Sequence, residues 1–395
     1  MTEKDNPNLS PPVVALGWVS FLTDVASEMI YPLLPDFLTR VLGAGPAALG
    51  LIEGTAESAA SLTKMVSGYW SDRLRRRKPF VVAGYVIAGA ARPLVGFATA
   101  WGQVLAIRFA DRVGKGIRTS PRDALIAGLV PPERRGRAFG LQRAMDNAGA
   151  LVGPLLAALL LKFWVPEERN VFLLAFLPGA AAVLLLLRKV PEAAHAPSSR
   201  TELPSSKGRL PRSFWVAVAV FVLFTLANST DAFLLLRARQ AGVELWQLPL
   251  LWGFFNGAKA LVGVPGGALA DRIGRVPTVA IGWGIYAAAY AGFAFVETVP
   301  EVWALFAFYA LFFALTEGAE RALVADLVPE ESRGRAFGVF HASVGLAALP
   351  SSVLFGFWWS ALGPRTAFLI GAAFALFALL GLWILRSFIS TGSVE

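Results

Sequence analysis

Ala124-Leu-Ile-Ala-Gly-Leu-Val-Pro-Pro-Glu-Arg-Arg-Gly-Arg-Ala-Phe-Gly140 returns, in the same chain direction, as Ala322-Leu-Val-Ala-Asp-Leu-Val-Pro-Glu-Glu-Ser-Arg-Gly-Arg-Ala-Phe-Gly338. A second pair agrees at nearly the same offset: Gly68-Tyr-Trp-Ser-Asp72-Arg73 and Gly267-Ala-Leu-Ala-Asp271-Arg272. Two matched pairs at nearly the same spacing read as a duplicated architecture whose second copy runs parallel to the first.

The chain around these repeats is too apolar for a soluble fold: hydrophobic residues are 56% of its 395 residues and charged ones 16%. Apolar stretches of about 20 residues, the length that crosses a hydrocarbon core, recur from near the start to near the end. Twelve spans are predicted, at 12–37, 46–70, 80–99, 102–129, 136–161 and 170–187, then 212–238, 247–270, 276–296, 301–328, 334–361 and 365–388. The first follows a polar start, Met1 to Ser10, and lacks a short apolar core ending in a cleavage site, so it is expected to be retained. The predicted organisation is an all-α membrane protein: a six-helix bundle over 1–190, a Pro-, Ser- and Lys/Arg-rich linker over 191–211, and a second six-helix bundle over 212–395.

The net charge of +9 is distributed as membrane topology rather than as a nucleic-acid footprint. Arg73 to Lys78, Arg134 to Arg137, Arg188 to Arg212, Arg272 with Arg275, and Arg333 with Arg335 fill alternate loops, while the intervening loops are poor in Lys and Arg. The positive-inside rule then predicts a multi-pass protein of the inner (cytoplasmic) membrane with both termini in the cytoplasm. There is no cysteine, hence no disulfide or thiol chemistry. No phosphate loop of the Walker type, paired histidine ligands or nucleophile triad stands in the sequence, so neither an enzyme nor a cofactor or metal is expected.

Parallel six-span repeats describe the halves of major facilitator transporters. Gly68-x-x-x-Asp72-Arg73-x-x-Arg76-Arg77 resembles the signature loop of that superfamily between helices two and three, and Gly267-x-x-x-Asp271-Arg272-x-x-Arg275 resembles its partner between eight and nine. Gly149-x-x-x-Gly153-Pro154 in span five resembles the motif of the proton-antiporting exporters, with Ala157 and Ala158 where glycines are usual. In span four, Arg108 and Gly114-x-Gly116 depart from the family spacing, and no role is carried to Arg108. Asp24-Val-Ala-Ser-Glu28-Met-Ile-Tyr-Pro32-Leu-Leu-Pro35 resembles a branch of prokaryotic transporters with no settled substrate. The resemblance covers the whole chain and implies a secondary transporter, with export by proton antiport.

A glycine four residues before an aspartate lets a neighbouring helix approach while the carboxylate pairs with a basic group or a helix N-terminus. Gly68, Asp72, Arg73, Gly267, Asp271 and Arg272 are therefore gating candidates, and Gly149, Gly153 and Pro154 join them as a close-packing, bending face. Arg122-Asp123 and Glu320-Arg321 occupy equivalent repeat positions with reversed charge order, which predicts pairing between the halves.

Ionisable groups inside spans cost about 2.5–3.5 kcal/mol each unless paired or wetted, so they mark function. The first half carries most of them. Asp24, Glu28, Asp146 and Asp231 are the proton-coupling candidates, since a carboxyl in a partly apolar cavity can load and release a proton. Lys64, Arg112, Lys115, Arg143, Asn228, Asn256, Lys259 and His341 are the solute-binding candidates, a set suited to an organic anion or amphiphile. Mutual salt bridges account for many of the same charges. The expected partners are a small-molecule solute, protons and membrane lipid, with no nucleic acid and a monomeric chain. Proton-coupled uptake, lysolipid-like flipping between leaflets, and a transporter-like receptor or scaffold without turnover are the rival readings.

Overall fold

The structure, a computed structural model, describes residues 9–74, 76–192 and 210–391, so most of the predicted linker, 193–209, lies outside the described residues. The described residues form long helical rods: α1 (Pro11–Val41), α2 (Pro46–Leu74), α3 (Lys78–Phe97), α4 (Trp101–Leu129), α5 (Arg135–Phe163), α6 (Glu168–Lys189), α7 (Arg212–Gln240), α8 (Gln247–Ile273), α9 (Arg275–Phe295), α10 (Val299–Asp326), α11 (Arg333–Leu362) and α12 (Pro364–Thr391). Nine of these, among the described residues, are long and apolar enough to cross a membrane. The three that fall short, α2, α4 and α8, carry Glu53, Glu57, Lys115, Asn256 and Lys259. Their lower hydropathy reflects the charge they bring to the protein interior.

Local sequence explains the irregular helices. In α1 the α-helix stops at Ile30, and Pro32 and Pro35, which cannot donate, convert the continuation into a 3-10 turn and then a π turn over Phe37–Val41. In α7 the helix ends at Ala227 and resumes at Ala232, leaving Asn228 to Asp231 unwound. A single residue, Gly274 at φ 91°, separates α8 from α9, and Gly363 at φ 85° does the same between α11 and α12. These are left-handed backbones that a side chain would strain.

Packing sorts the rods into two sets. In the first, α1 packs on α5 and α6, and α4 on α2 and α3; in the second, α9 packs on α10 and α12, α8 on α10, and α7 on α12. The sets meet mainly along two seams, α2 with α11 and α5 with α8. Small residues make the close approaches. A Cβ on Gly114 would meet the Gly84 carbonyl oxygen of α3 at 2.8 Å, and one on Gly116 the Ala60 carbonyl oxygen of α2 at 2.7 Å. Gly114-x-Gly116 therefore wedges α4 between its two neighbours.

The interiors differ in chemistry. Among the described residues the fully buried charged side chains, Asp36, Glu53, Arg92, Arg108, Asp111, Arg118 and Glu168, all belong to the first set. The second set is filled instead by stacked aromatics: Phe224 on Trp283 at 4.2 Å, Tyr286 on Tyr290 at 4.2 Å, and Phe255 on Tyr309 at 5.5 Å between ring centres.

Candidate functional site: a charged cavity between the two halves

A buried ion network forms one wall of the site. Arg108 grips Glu53 through two hydrogen bonds, Nε to Oε1 at 2.9 Å and NH2 to Oε2 at 2.8 Å, and pairs with Asp111 at 3.3 Å. Arg92 of α3 donates to the other Asp111 oxygen at 2.9 Å and to the Thr23 carbonyl of α1 at 2.9 Å. Four helices are thus tied through two arginines and two acids. Burying such charges is tolerable because each finds a partner with good geometry.

On this wall opens a cavity of about 740 Å³ between the two sets, lined by Glu28, Tyr31, Glu53, Glu57, Arg112, Lys115, Asn228, Asp231, Trp252, Lys259 and Glu317 among others. Glu28 accepts from the indole of Trp252 at 2.6 Å, across the boundary between the sets. Asp231, at the break in α7, accepts from the Tyr309 hydroxyl at 2.8 Å. Arg112 is different: its Nε is buried without a hydrogen-bond partner. Of the acids whose field it feels, Asp111 and Glu53 are already engaged by Arg92 and Arg108, and Glu57 lines the same cavity outside ion-pair distance among the described residues. Among the described residues neither Lys115 nor Lys259 has a carboxylate at ion-pair distance; the Lys259 ammonium lies instead 4.7 Å from the ring centres of both Phe255 and Phe313. Three cations therefore converge on one volume from both halves.

The cavity is closed at the face opposite the basic loops. There Arg239 of α7 donates to the buried Asp36 of α1 at 3.0 Å, and Lys162 of α5 lies 4.0 Å from the Trp246 ring before α8. Pro46 and Gly356 bring α2 and α11 into contact, and the Ala47 amide donates to Ser360 at 3.2 Å. At the basic-loop face the sets diverge. A Cβ on Gly136, Gly140, Gly267, Gly334 or Gly338 would meet nothing within 4 Å, and Leu261 is 78% exposed. Arg143 and Glu317, both exposed, pair at 3.1 Å across the mouth. The cavity opens to the basic-loop side.

Of the residues singled out in the sequence, Glu28, Arg112, Lys115, Asn228, Asp231 and Lys259 share this cavity. Asp24 and Asp146 do not line it; Asp24 packs against Gly149 of α5, and Gln142, one turn before Asp146, accepts from the Arg122 guanidinium through its amide oxygen. Arg143 stands at the mouth, and Asn256 donates to the Ala150 carbonyl at 3.4 Å, stitching the α5–α8 seam instead of facing a solute. Lys64 and His341 line a side cleft described below. The expected pairing between Arg122-Asp123 and Glu320-Arg321 is absent here. Arg122 bonds its own neighbour Asp123 at 3.1 Å, Glu320 accepts from Trp283 at 3.1 Å, and Arg321 pairs with Glu317 at 2.9 Å. The physical reason is the open mouth, which holds these ends of α4 and α10 apart.

The remaining gating positions lie at that mouth or on the seams. Asp72 is exposed, 3.8 Å from Arg77, and Arg73 reaches the Tyr69 hydroxyl at 3.4 Å. Gly68 faces Ser120 of α4. Asp271 and Arg272 are exposed beside the close Arg275–Asp326 pair. Gly153 sits against Val25 and Glu28, and Pro154 meets Gly253 of α8. Arg92, Arg108 and Asp111 were not separable in the sequence from the other charges of spans three and four. The period of i, i+3 that joins Arg108 to Asp111 was the available signal.

The sequence profile of the Major Facilitator Superfamily matches residues 16–314 and 247–391. An uncharacterized MFS-type transporter of Methanocaldococcus jannaschii is 34% identical over 383 residues, spanning 95% of each chain. The multidrug resistance protein MdtH of Salmonella newport is 28% identical over 135 residues, 34% of this chain and 33% of that protein. Among solved structures, a bacterial homolog of the human lysosomal transporter Spinster, in an inward-facing and occupied conformation, superposes with a TM-score of 0.78 at 15% identity, covering 96% of this chain and 98% of the other. That likeness is one of fold. A helical membrane chain of two repeated halves around one charged cavity, matched by this profile along nearly its whole length, belongs to the Major Facilitator Superfamily of transporters.

Proposed function

We propose that this transporter exports a small organic anion by proton antiport, the halves 1–190 and 212–395 rocking about the central cavity and the termini lying in the cytoplasm. The observation that carries this reading is the convergence of Arg112 and Lys115 from one half with Lys259 from the other, none of them ion-paired among the described residues. An anion held by all three draws the halves together, which is differential binding to a closed state. Among the carboxyl groups that line the same cavity, Glu28 and Asp231 accept from neutral donors, Trp252 and Tyr309, and have no ion pair among the described residues. Such groups can exchange protons, and Asp24, one turn from Glu28 on α1, offers a second station. The Gly149–Gly153 face against α1 supports the antiporter assignment by its likeness to the exporters' motif. On the positive-inside reading, the open side is the cytoplasm, where an exporter collects its cargo.

The test is flux in proteoliposomes holding the full chain, with radiolabelled monocarboxylates and organic phosphates as probes and an imposed pH gradient. Accumulation against proton flow, abolished by Asp24→Asn, is the expected result. Binding without flux would instead favour a receptor, and solute moving in the same direction as protons would make the chain an uptake system.

A further inference from the structure

The central cavity does not end at its charged wall. A side cleft of about 470 Å³ continues from it along the α2–α11 seam, and the two volumes share Glu57, Lys115, Val344 and Ala348. On the closed side of the protein this seam is tight: a Cβ on Gly54 would meet Leu349 backbone at 3.0 Å, and Ser58 donates to the Gly345 carbonyl at 2.8 Å. The contact holds one turn further, where Ser61 presses on Gly345, and beyond it toward the basic loops the helices part. Lys64 and Met65 of α2 then face Phe337 and His341 of α11 across open space, with Gly338 unfilled between them. Met65 is 57% exposed, so the cleft reaches the outer surface of the helices.

The two volumes differ in chemistry. The central one is rich in charge; the side cleft has apolar walls, Met65, Phe337 and Val344, beneath a rim that carries two cations, Lys64 and Lys115, and one acid, Glu57. Lys64 has no carboxylate at ion-pair distance among the described residues. The geometry points to an amphiphile as the solute, its anionic head between Arg112, Lys115 and Lys259 and its alkyl chain along the α2–α11 cleft, entering sideways from the leaflet on the basic-loop side. This assignment rests on the reading of the central cavity as the solute site and adds the class of molecule that fills both volumes. A compact hydrophilic anion satisfies the cations and leaves the apolar cleft in contact with nothing of its own kind. An uncharged lipid chain fills the cleft but brings no anion to Arg112, Lys115 and Lys259.

The experiment uses the full chain in nanodiscs of neutral lipid and a dodecyl phosphate with a terminal diazirine, its photolabelling mapped by mass spectrometry. Labels are expected on Ala60–Met65 and Phe337–Ala342, with unlabelled dodecyl phosphate competing at least about tenfold better than butyl phosphate. Lys115→Gln should weaken labelling about tenfold, the scale of one charge-assisted hydrogen bond. Gly338→Trp, placed where a side chain meets no neighbour, should block the cleft to a similar degree, while Gly334→Trp, one turn away and outside it, should change nothing. Labels scattered over other helices, equal competition by butyl and dodecyl phosphate, or indifference to Gly338→Trp would each overturn the assignment. Specific labelling of a protein that moves no solute would leave it standing and remove the transport reading instead.

Discussion

Trp252 of α8 donates its indole N–H to Glu28 of α1 at 2.6 Å, and this short bond crosses from one half of the transporter to the other inside the cavity. It places a carboxyl group of the first half under the control of a donor in the second. In the proposed rocking cycle the bond stretches or breaks as the halves move, which would join solute binding to the protonation of Glu28 through one contact.

Trp252→Phe keeps the ring and deletes the donor. Transport is expected to fall about tenfold, the worth of a hydrogen bond to a charged group, while the melting temperature of the purified protein stays within a few degrees. A flux assay paired with a thermal melt separates the two effects.

The closed face depends on Arg239 meeting Asp36, which is only 3% exposed. Arg239→Ala leaves that carboxylate with Arg40 alone, at 3.1 Å. Because the chain has no cysteine, Asn228→Cys provides a unique reporter in the cavity. A membrane-impermeant thiol reagent added to the closed face should label it several times faster in the Arg239→Ala background. Unchanged labelling would show that the Asp36–Arg239 bridge does not hold this face shut.

Loss of one partner from the buried network should be severe. Arg92→Ala removes contacts to Asp111 and Thr23 and strands charge in the first half, at a cost of about 3–5 kcal/mol. Glu57→Gln, an exposed cavity residue with no ion pair among the described residues, should alter stability by less than about 1 kcal/mol. Parallel unfolding curves in detergent test the contrast.

The seam glycines divide in the same way. A Cβ on Gly149 would lie 2.6 Å from the Phe21 carbonyl oxygen, a backbone atom that cannot move aside, so Gly149→Ala should open the α1–α5 contact and lower expression and melting temperature. Gly140→Ala, with nothing within 4 Å, should be neutral or slightly stabilising in its helix.

The fold was legible because duplication and hydropathy are both local properties of the chain. The repeated Arg-Gly-Arg-Ala-Phe-Gly segments and the alternation of basic loops located the helices to within a few residues, whereas the 3-10 and π turns after Ile30 in α1 and the unwound Asn228–Asp231 stretch of α7, which carries no glycine or proline, were not foreseen. The site was legible in composition but not in assignment. Asp24 and Glu28 are four apart and share a face, yet Glu28 reaches across to Trp252 while Asp24 sits on Gly149. Helical period states that two residues lie together; it does not state which neighbour they meet. Asp123 and Arg321 show the same limit, since equivalent places in a repeat need not touch in the conformation with the mouth open.

The proposed activity is exchange of a proton for an anionic solute through this cavity. Its most direct test is a pH indicator trapped in proteoliposomes with no imposed proton gradient, followed on adding a gradient of dodecyl phosphate. Proton movement opposite to the solute is expected, dependent on the transporter, lost in Glu28→Gln and Asp24→Asn, and strongly reduced in Lys115→Gln. Solute uptake with no accompanying proton signal, or a proton signal that survives both carboxyl substitutions, would contradict it.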